Sequence, residues 1–146
     1  MAGINSFNVG RDSAQLTIID SNFGTVTING ITKFDAKPAV VKLKSVGIGG
    51  RILHRTVPDG HALSFELDRQ DPSYEQYFAD VEAAYFAGLP PSAIFLTQTI
   101  NNLDGSISQY QYLDMALAPD DDGNWEGQAK VPQKFSAQAG RKIRLV

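Results

Sequence analysis

Few side chains in this sequence could carry acid–base, nucleophilic or metal chemistry. The two histidines, His54 and His61, lie on either side of an expected turn, and neither has a second histidine or a repeated carboxylate at metal-ligand spacing. The absence of cysteine excludes disulfides and thiolate metal sites. With only these two histidines, no Ser-His-Asp arrangement is favoured. We therefore expect no catalytic residue, no metal site and no cofactor, and we predict that the protein is not an enzyme.

Two other segments have residue types of a ligand site without its spacing. Residues 120–124, Asp-Asp-Asp-Gly-Asn, have the acidic character of a calcium loop but lack the spaced ligands and the bidentate glutamate of an EF-hand. Gly47, Gly49 and Gly50 do not lie between a strand and a helix, and no Gly-Lys-Ser or Gly-Lys-Thr follows them. We expect a solvated turn at the first segment and a flexible loop at the second.

The composition indicates one folded domain without a membrane anchor. The chain has 146 residues, of which 42% are hydrophobic and 20% charged, as in ordinary globular domains. No apolar run approaches the roughly 18 to 20 residues of a membrane helix, and the first residues lack the pattern of a secretory signal. A single domain over residues 1–146 is therefore expected, and the lack of cysteine fits synthesis in a reducing cytoplasm.

Charge is unevenly distributed along the chain, although the net charge is only −3. From Lys33 to Arg55 there are six basic residues and one acid, and from Asp59 to Glu126 there are thirteen acids and one base. The last 17 residues carry five bases and no acid. Separate basic and acidic zones suit head-to-tail contacts between copies, because such contacts join two different surfaces and can extend into rings or filaments.

Hydrophobic periodicity predicts a mainly β fold with one helix. Residues 61–69 alternate most clearly, with apolar side chains on one face and polar side chains on the other. The helix is expected at residues 72–87, with Asp71 as its N-cap and glycine and proline after its end. The other predicted strands are 15–20, 24–34, 93–100, 106–117 and 128–137, with turns at Asn29-Gly30, Pro58-Asp59-Gly60, 101–105 and 119–124.

These elements predict two packed antiparallel sheets, forming a β-sandwich or a barrel-like structure flanked by the helix. Two segments fall outside the regular elements. Residues 1–13 are expected to form a polar N-terminal arm, and residues 35–60 a long loop containing glycines, prolines and several apolar residues. A loop of this length is usually functional or disordered. Its apolar residues need a partner surface, which indicates a contact between subunits.

The order of the segments resembles the tail tube proteins of contractile-tailed bacteriophages. The resemblance covers most of the chain and concerns element order and local character, with no catalytic fingerprint. It is carried by the early hairpin Gly24-Thr25-Val26-Thr27-Ile28-Asn29-Gly30, the long basic loop through residues 47–55, the strand 63–69, Asp71-Pro72 at the start of the single helix, residues 95–98, the strand through Tyr110 and Tyr112, and a last strand near residues 134–137.

The resemblance implies a subunit that forms six-membered rings, with one sheet from each subunit joining a continuous barrel around a central channel. The rings would stack into the tail tube of a virion, after synthesis in the host cytoplasm. The implied partners are other copies of the chain, the tail sheath protein, the baseplate and tail terminator proteins, and, within the channel, the tape measure protein and DNA without sequence-specific binding. No membrane and no cofactor is implied.

Two groups of site residues follow from the resemblance. Because the long loop of such proteins reaches adjoining subunits, the expected inter-subunit contacts are Val40, Val41, Lys42, Leu43, Lys44, Val46, Ile48, Arg51, Ile52, Leu53 and Arg55. A channel wall should avoid positive charge that would retard a polyanion. The channel-lining candidates are polar members of alternating strands, namely Glu66, Asp68, Thr97, Thr99, Gln109 and Gln111.

Two other functions remain open at this point. A baseplate or tube-end protein of the same virion would start or terminate the tube and need not polymerise alone. A small β-sandwich that binds carbohydrate is supported by Trp125, Tyr110 and Tyr112, because exposed aromatic rings can stack on ligands. Core packing explains these three rings more simply.

Overall fold

The computed structural model describes residues 14–127 and 129–146, so the expected N-terminal arm at residues 1–13 lies outside the described part. Nine strands and one helix follow in chain order. They are β1 (Ala14–Asp20), β2 (Gly24–Val26), β3 (Ile31–Val46), β4 (Ile52–Asp68), α1 (Ser73–Phe86), β5 (Ile94–Asn101), β6 (Ile107–Leu113), β7 (Ala116–Asp121), β8 (Pro132–Ala139) and β9 (Arg141–Arg144).

The strands form two antiparallel sheets, as predicted. The five-stranded sheet has the order β2-β1-β5-β6-β9, and the four-stranded sheet has the order β3-β4-β8-β7. Both sheets are open, so the fold is a sandwich and the barrel-like alternative is not formed. Along each strand, alternate side chains point into the space between the sheets, where the apolar residues form one core.

The centre of the core is aromatic. Phe65 of β4 and Phe135 of β8 are almost completely buried and stack with their ring centroids 4.4 Å apart. Helix α1 adds Tyr74 and Phe78, whose rings lie 6.0 and 5.8 Å from that of Phe135. The alternating apolar face predicted for residues 61–69 is confirmed, because Leu63, Phe65 and Leu67 are all buried.

The helix begins and ends within one residue of its predicted bounds. Asp71 Oδ1 accepts a hydrogen bond from the backbone N–H of Ser73 (3.0 Å). The prediction of Asp71 as the N-cap is wrong, because the helix begins one residue later, with Pro72 at the N-cap and no side-chain cap hydrogen bond. Hydrogen bonds from the Ser73 side chain, from the Asn29 amide and from the Ser73 backbone N–H hold the pKa of Asp71 below its usual range. Of the predicted apolar face, Tyr74 and Phe78 are buried, whereas Tyr85 is mostly exposed.

The prediction of a long loop at residues 35–60 is wrong. This segment consists of the paired halves of β3 and β4, which form one long antiparallel hairpin from Ile31 to Asp68. The chain turns at residues 47–50, where the N–H of Gly50 donates to the carbonyl of Gly47 (2.9 Å). The β-branched residues between the glycines and prolines favour extended backbone, and pairing with the opposite strand satisfies their N–H and C=O groups.

Pro58-Asp59-Gly60 is a bulge in β4 and not the predicted turn. Pro38 pairs with His61 and Val40 with Pro58, so two residues of β4 lie opposite one residue of β3. Gly60 has φ +87°, and a Cβ at this position would lie 2.8 Å from the carbonyl oxygen of Ala139. Glycine is therefore required where the hairpin leaves the sandwich, because both the backbone conformation and the neighbouring strand exclude a side chain.

Asn29-Gly30 also has a different role from the predicted hairpin turn. β2 ends at Val26 and pairs with β1, while β3 begins at Ile31 in the other sheet, so this dipeptide lies in the crossing between the sheets. A Cβ on Gly30 would lie only 2.3 Å from the carbonyl oxygen of Asp68. The glycine thus permits close passage of two backbone segments.

The strands after the helix differ from their predicted bounds in three places. The segment 106–117 is divided between β6 and β7, which belong to different sheets, and Asp114 between them has φ +55°. The turn predicted at 119–124 begins later, because β7 continues to Asp121. β8 runs from Pro132 to Ala139, and the basic strand β9 was not predicted.

Candidate functional site

The distal part of the β3-β4 hairpin, residues 40–58, projects from the sandwich and is called the hairpin arm below. Its strands stay paired from Val40 and Pro58 at the base to Val46 and Ile52 near the tip. Every residue of the arm is exposed except Val57, which is half-buried. All eleven residues predicted to contact other subunits lie on this arm.

Cross-strand register gives the arm two different faces, because directly paired residues share a face. One face carries Val41 with Val57, Leu43 with Arg55 and Ser45 with Leu53. The other face carries Lys42 with Thr56 and Lys44 with His54, between apolar pairs at the base and the tip. The first face is therefore mainly apolar and the second is basic at its centre.

The apolar side chains of the arm have no covering surface within the described chain. Leu43 and Leu53 are 48% and 51% exposed, and Ile48 at the tip is fully exposed. Contiguous exposed apolar residues of this kind mark interaction surfaces. A two-stranded ribbon is also only marginally stable in water by itself. Both considerations make the arm a candidate contact surface.

The hairpin arm is strongly basic. It contains Lys42, Lys44, Arg51 and Arg55 and no acidic residue. Within residues 14–127 and 129–146, no acidic side chain forms an ion pair with the arm. On the outer side of the four-stranded sheet, by contrast, Lys134 lies 3.8 Å from Glu66 and Lys130 lies 3.4 Å from Asp68. The charge separation seen along the sequence therefore persists in three dimensions at the arm.

Four of the six channel-lining candidates lie together. Thr97 pairs with Gln111 and Thr99 with Gln109 on adjacent strands of the five-stranded sheet, and Gln109 Nε2 donates a hydrogen bond to Thr99 Oγ1 (3.2 Å). Their strand neighbours Leu96 and Tyr112 are buried in the core, so these four side chains are on the outer face. Along the described strands β1, β5 and β6, that outer face carries no charged residue.

The other two candidates lie on a different surface. Glu66 and Asp68 belong to β4, and their neighbours Phe65 and Leu67 face the core, so both acids are on the outer face of the four-stranded sheet. The two outer faces point in opposite directions because the sheets pack through their inner faces. A single channel wall can therefore contain only one of the two sets.

A buried polar contact fixes the helix against the five-stranded sheet. Asp20 at the end of β1 is 1% exposed, and its carboxylate accepts hydrogen bonds from the Tyr77 hydroxyl (2.8 Å) and from the backbone N–H of Asn22 (2.8 Å). Burial, and then the bond to Asp20, raise the pKa of Tyr77 far above its usual value. Sequence reasoning missed both residues, although an acid ending an apolar strand was a visible signal.

We expect Tyr77→Phe to lower the free energy of unfolding by about 1–3 kcal/mol, because the substitution leaves a buried carboxylate oxygen without its donor. Urea denaturation measures the change. The matched control is Tyr85→Phe on the same helix, whose side chain is 75% exposed and which should change stability by less than about 0.5 kcal/mol. Equal effects of the two substitutions would show that the Asp20 contact does not stabilise the fold.

The residues considered for chemistry lie apart from one another. His54 is on the hairpin arm, whereas the His61 ring packs edge-on against Tyr112 at 5.5 Å. Among the described residues, no group of three or more His, Cys, Asp or Glu side chains could hold a metal ion. Of the three aromatics considered for sugar binding, Tyr112 is buried, and Trp125 packs against the guanidinium of Arg69 at 5.2 Å. These rings therefore do not form a shared stacking platform.

Comparison with known proteins gives a clear result for the fold. No family model and no curated protein sequence matches the chain. Among solved structures, a chain of the sheath-tube complex of PVC, an extracellular contractile injection system, matches with a TM-score of 0.59 and 6% identity, over 90% of this chain and 88% of that one. The chain shares its fold with components of tail and injection-tube assemblies.

Two further structures support that conclusion. A chain of the tube-terminating cap of the anti-feeding prophage matches with a TM-score of 0.57 and 8% identity, over 90% of this chain and 87% of that one. A chain from the tail of an empty GTA particle, refined with C6 symmetry, matches with a TM-score of 0.54 and 14% identity, over 96% of this chain and all of that one. The resemblance to tail tube proteins stated from the sequence is confirmed at the level of the fold.

These neighbours are structural parts of extracellular or tail particles. They come from sheath-tube, terminator, cap and baseplate assemblies. Within the part of the chain that the structure describes, no helix is long and apolar enough to cross a membrane.

Proposed function

We propose that this protein is the structural subunit of a phage-type tail tube, which forms hexameric rings that stack around a central channel. The observation that carries the proposal is the hairpin arm, a projecting ribbon with exposed apolar residues and four unpaired positive charges. Exposure of these apolar side chains to water is unfavourable in a monomer, whereas assembly into a polymer would bury them. The shared fold with a sheath-tube complex agrees with this role.

The outer face of the five-stranded sheet is the surface best suited to the channel. Its central strands present uncharged side chains such as Thr97, Thr99, Gln109 and Gln111, which neither bind nor strongly repel a passing polyanion. DNA and the tape measure protein are the proposed contents of the channel. The opposite face, with Glu66 and Asp68 paired to lysines, carries mixed charge and is suited to the outside of the tube. The tail sheath, baseplate and tail terminator proteins are the proposed external partners.

Electron microscopy of the purified protein at high concentration tests the proposal. We expect hollow tubes of stacked rings for the native chain. A variant with Leu43→Asp and Leu53→Asp should remain folded and monomeric, because it places charges on the apolar face of the arm. A control with Gln76→Asp and Thr27→Asp, at exposed positions outside the arm, should still form tubes. Native protein that stays monomeric under all conditions and with tube-end partners would contradict the proposal.

A second candidate function is a tube-terminating or baseplate role, which is favoured by the similarity to a sheath/tube terminator and a tube cap. Such a protein would form a single ring that does not stack. The same images distinguish the two functions, because isolated rings without tubes at any concentration would support the second.

We expect assembly to become slower as the salt concentration rises. The basic arm would be attracted to an acidic surface of another copy, and ions screen this attraction beyond about 10 Å at 0.1 M salt. Light scattering during assembly at low and high salt measures the rate. If the rate were unchanged or higher at high salt, burial of the apolar face and not charge would guide the association.

A further inference from the structure

A second surface of the molecule is apolar like the hairpin arm but carries the opposite charge. Between helix α1 and strand β7 lies a groove with a volume of about 770 Å³, here called the acidic groove. Its apolar walls include Phe78, Val81, Tyr85, Leu117, Pro119 and Trp125. Glu82 and Asp122 also line it. The groove therefore combines apolar walls with carboxylates, while the arm combines apolar side chains with cations.

The charge of the groove is not cancelled within the chain. Arg69 lines the groove but forms an ion pair with Glu75, which also lines it. Neither Glu82 nor Asp122 forms an ion pair within residues 14–127 and 129–146. Asp120 and Asp121, which end β7 just before Asp122, are exposed. A cationic segment could therefore enter the groove without displacing an existing partner.

Hydrogen bonds make the acidic end of the groove rigid. The Gln133 side chain is fully buried, and its Nε2 donates to Glu75 Oε1 and to the backbone carbonyl of Asp122, each at 3.0 Å. The Tyr74 hydroxyl lies 2.9 Å from the carbonyl of Lys134 and 3.2 Å from Asp122 Oδ1. Burial, and then the charge of Asp122, raise the pKa of Tyr74 far above its usual value, so the hydroxyl keeps its proton. The groove is thus largely formed before any partner arrives.

The arm and the acidic end of the groove lie at opposite ends of the sandwich. The arm leaves β4 at Gly60, whereas Asp121 of β7 pairs with Lys134, which pairs with Glu66 of β4. The six residue-to-residue steps from Gly60 to Glu66 span about 20 Å at the usual rise per strand residue. Because the arm continues β4 away from that end, it extends away from the acidic residues of its own chain. A contact between arm and groove therefore joins two copies head to tail.

We propose that the hairpin arm of one copy docks in the acidic groove of the next copy. The inference rests on the proposed function, in which the arm mediates assembly, and adds the surface that receives it. The apolar face of the arm covers the apolar walls of the groove. Arg55, which shares that face, and Arg51 at the tip approach Glu82 and the aspartates of residues 120–122. The two surfaces differ and lie at opposite ends of the molecule. Two copies joined by this contact therefore still have one free arm and one free groove, so further copies can add along a stack.

Charge exchange between the two surfaces tests this contact. We expect Glu82→Lys to raise the protein concentration needed for assembly at least about tenfold, because it places like charges together in the interface. The pair Arg51→Glu and Arg55→Glu should have the same effect. A mixture of the two variant proteins should assemble again, since the glutamates introduced on one arm then meet the lysine introduced in the groove of the other variant. Asp80→Lys is the matched control, because Asp80 is exposed on the same helix and lines a different cavity.

The outcomes separate the inference from the proposed function. If the arm variant fails to assemble while Glu82→Lys assembles normally, the arm mediates assembly through another surface and the groove proposal is overturned. If both variants fail and their mixture does not recover, the groove binds a different partner and the proposal is again overturned. If arm variants assemble normally, the proposed function itself is wrong. Circular dichroism must show that each variant is folded.

Crosslinking gives a second measurement that does not depend on tube formation. The chain has no cysteine, so introduced thiols are the only ones present. We expect oxidation of a mixture of Ser45→Cys and Ala79→Cys proteins, with one thiol on the arm and one in the groove, to give a covalent dimer of one chain of each kind. Replacing Ala79→Cys by Asp80→Cys should reduce the yield of this dimer several-fold. Equal yields would overturn the proposal.

Discussion

A protein in which an Asn-Gly turn joins Val40 directly to Pro58 should fold as a soluble monomer and form no tubes. None of the deleted residues belongs to the core, and the pairing of β3 with β4 from Pro38 and His61 onward remains. Asn-Gly suits a two-residue turn between antiparallel strands. We expect the free energy of unfolding to stay within about 1 kcal/mol of the native value, because surface changes away from the core usually cost little.

Circular dichroism, thermal melting and size-exclusion chromatography measure folding and association of this variant, and electron microscopy measures tube formation. A control that replaces only residues 47–50 with Asn-Gly keeps the apolar faces of the arm and should retain most of its assembly. Tubes formed by the fully shortened protein would show that the arm is not the contact element. Failure to fold would show that the arm belongs to the domain core.

Phe135→Ala should lower the free energy of unfolding by about 3–5 kcal/mol, the usual cost of removing a buried aromatic ring. The ring has no exposed surface and stacks on Phe65, and it also contacts Tyr74 and Phe78 of the helix. Its loss creates a cavity where both sheets and the helix meet. The total free energy of unfolding of a small domain is only about 5–15 kcal/mol. The variant should therefore be partly unfolded near body temperature.

Urea denaturation measures this effect, and Phe86→Ala provides the control. Phe86 is 77% exposed at the end of the helix, so its removal should change stability by less than about 0.5 kcal/mol. A loss below about 1 kcal/mol for Phe135→Ala would mean that the aromatic cluster is not the main source of the fold's stability. A large loss for Phe86→Ala would mean that the exposed helix end is packed in solution.

Local sequence signals were sufficient for elements whose pattern and ends are both clear. The helix had an apolar face and glycine after its end, and its bounds were predicted to within one residue, although its N-cap is Pro72 and not Asp71. The strand at 61–69 was predicted because Leu63, Phe65 and Leu67 alternate with polar residues. Two packed sheets followed from the number of such strands, because each needs a partner for its apolar face.

The hairpin arm shows where local signals were misleading. Pro38, Gly60 and the glycines of residues 47–50 were interpreted as breaks, yet the first two lie at a bulge and the last group forms the turn. A bulge and a turn use the same residue types, because both need unusual backbone conformations. Only the pairing of β3 with β4 distinguishes them. The identification of the segment as exposed, apolar and basic did not depend on this distinction.

The sequence alone determined the β-rich class, the helix, the polar and apolar sides of several strands, and the basic character of the arm, because each depends on residue type and near neighbours. The tertiary structure decided which strands share a sheet, and hence that Thr97 and Gln111 lie on one outer face while Glu66 lies on the other. It also decided that Glu66 and Asp68 are paired with lysines and that Tyr77 meets Asp20. These features join residues far apart in the chain, and no local pattern specifies which distant segments will pair.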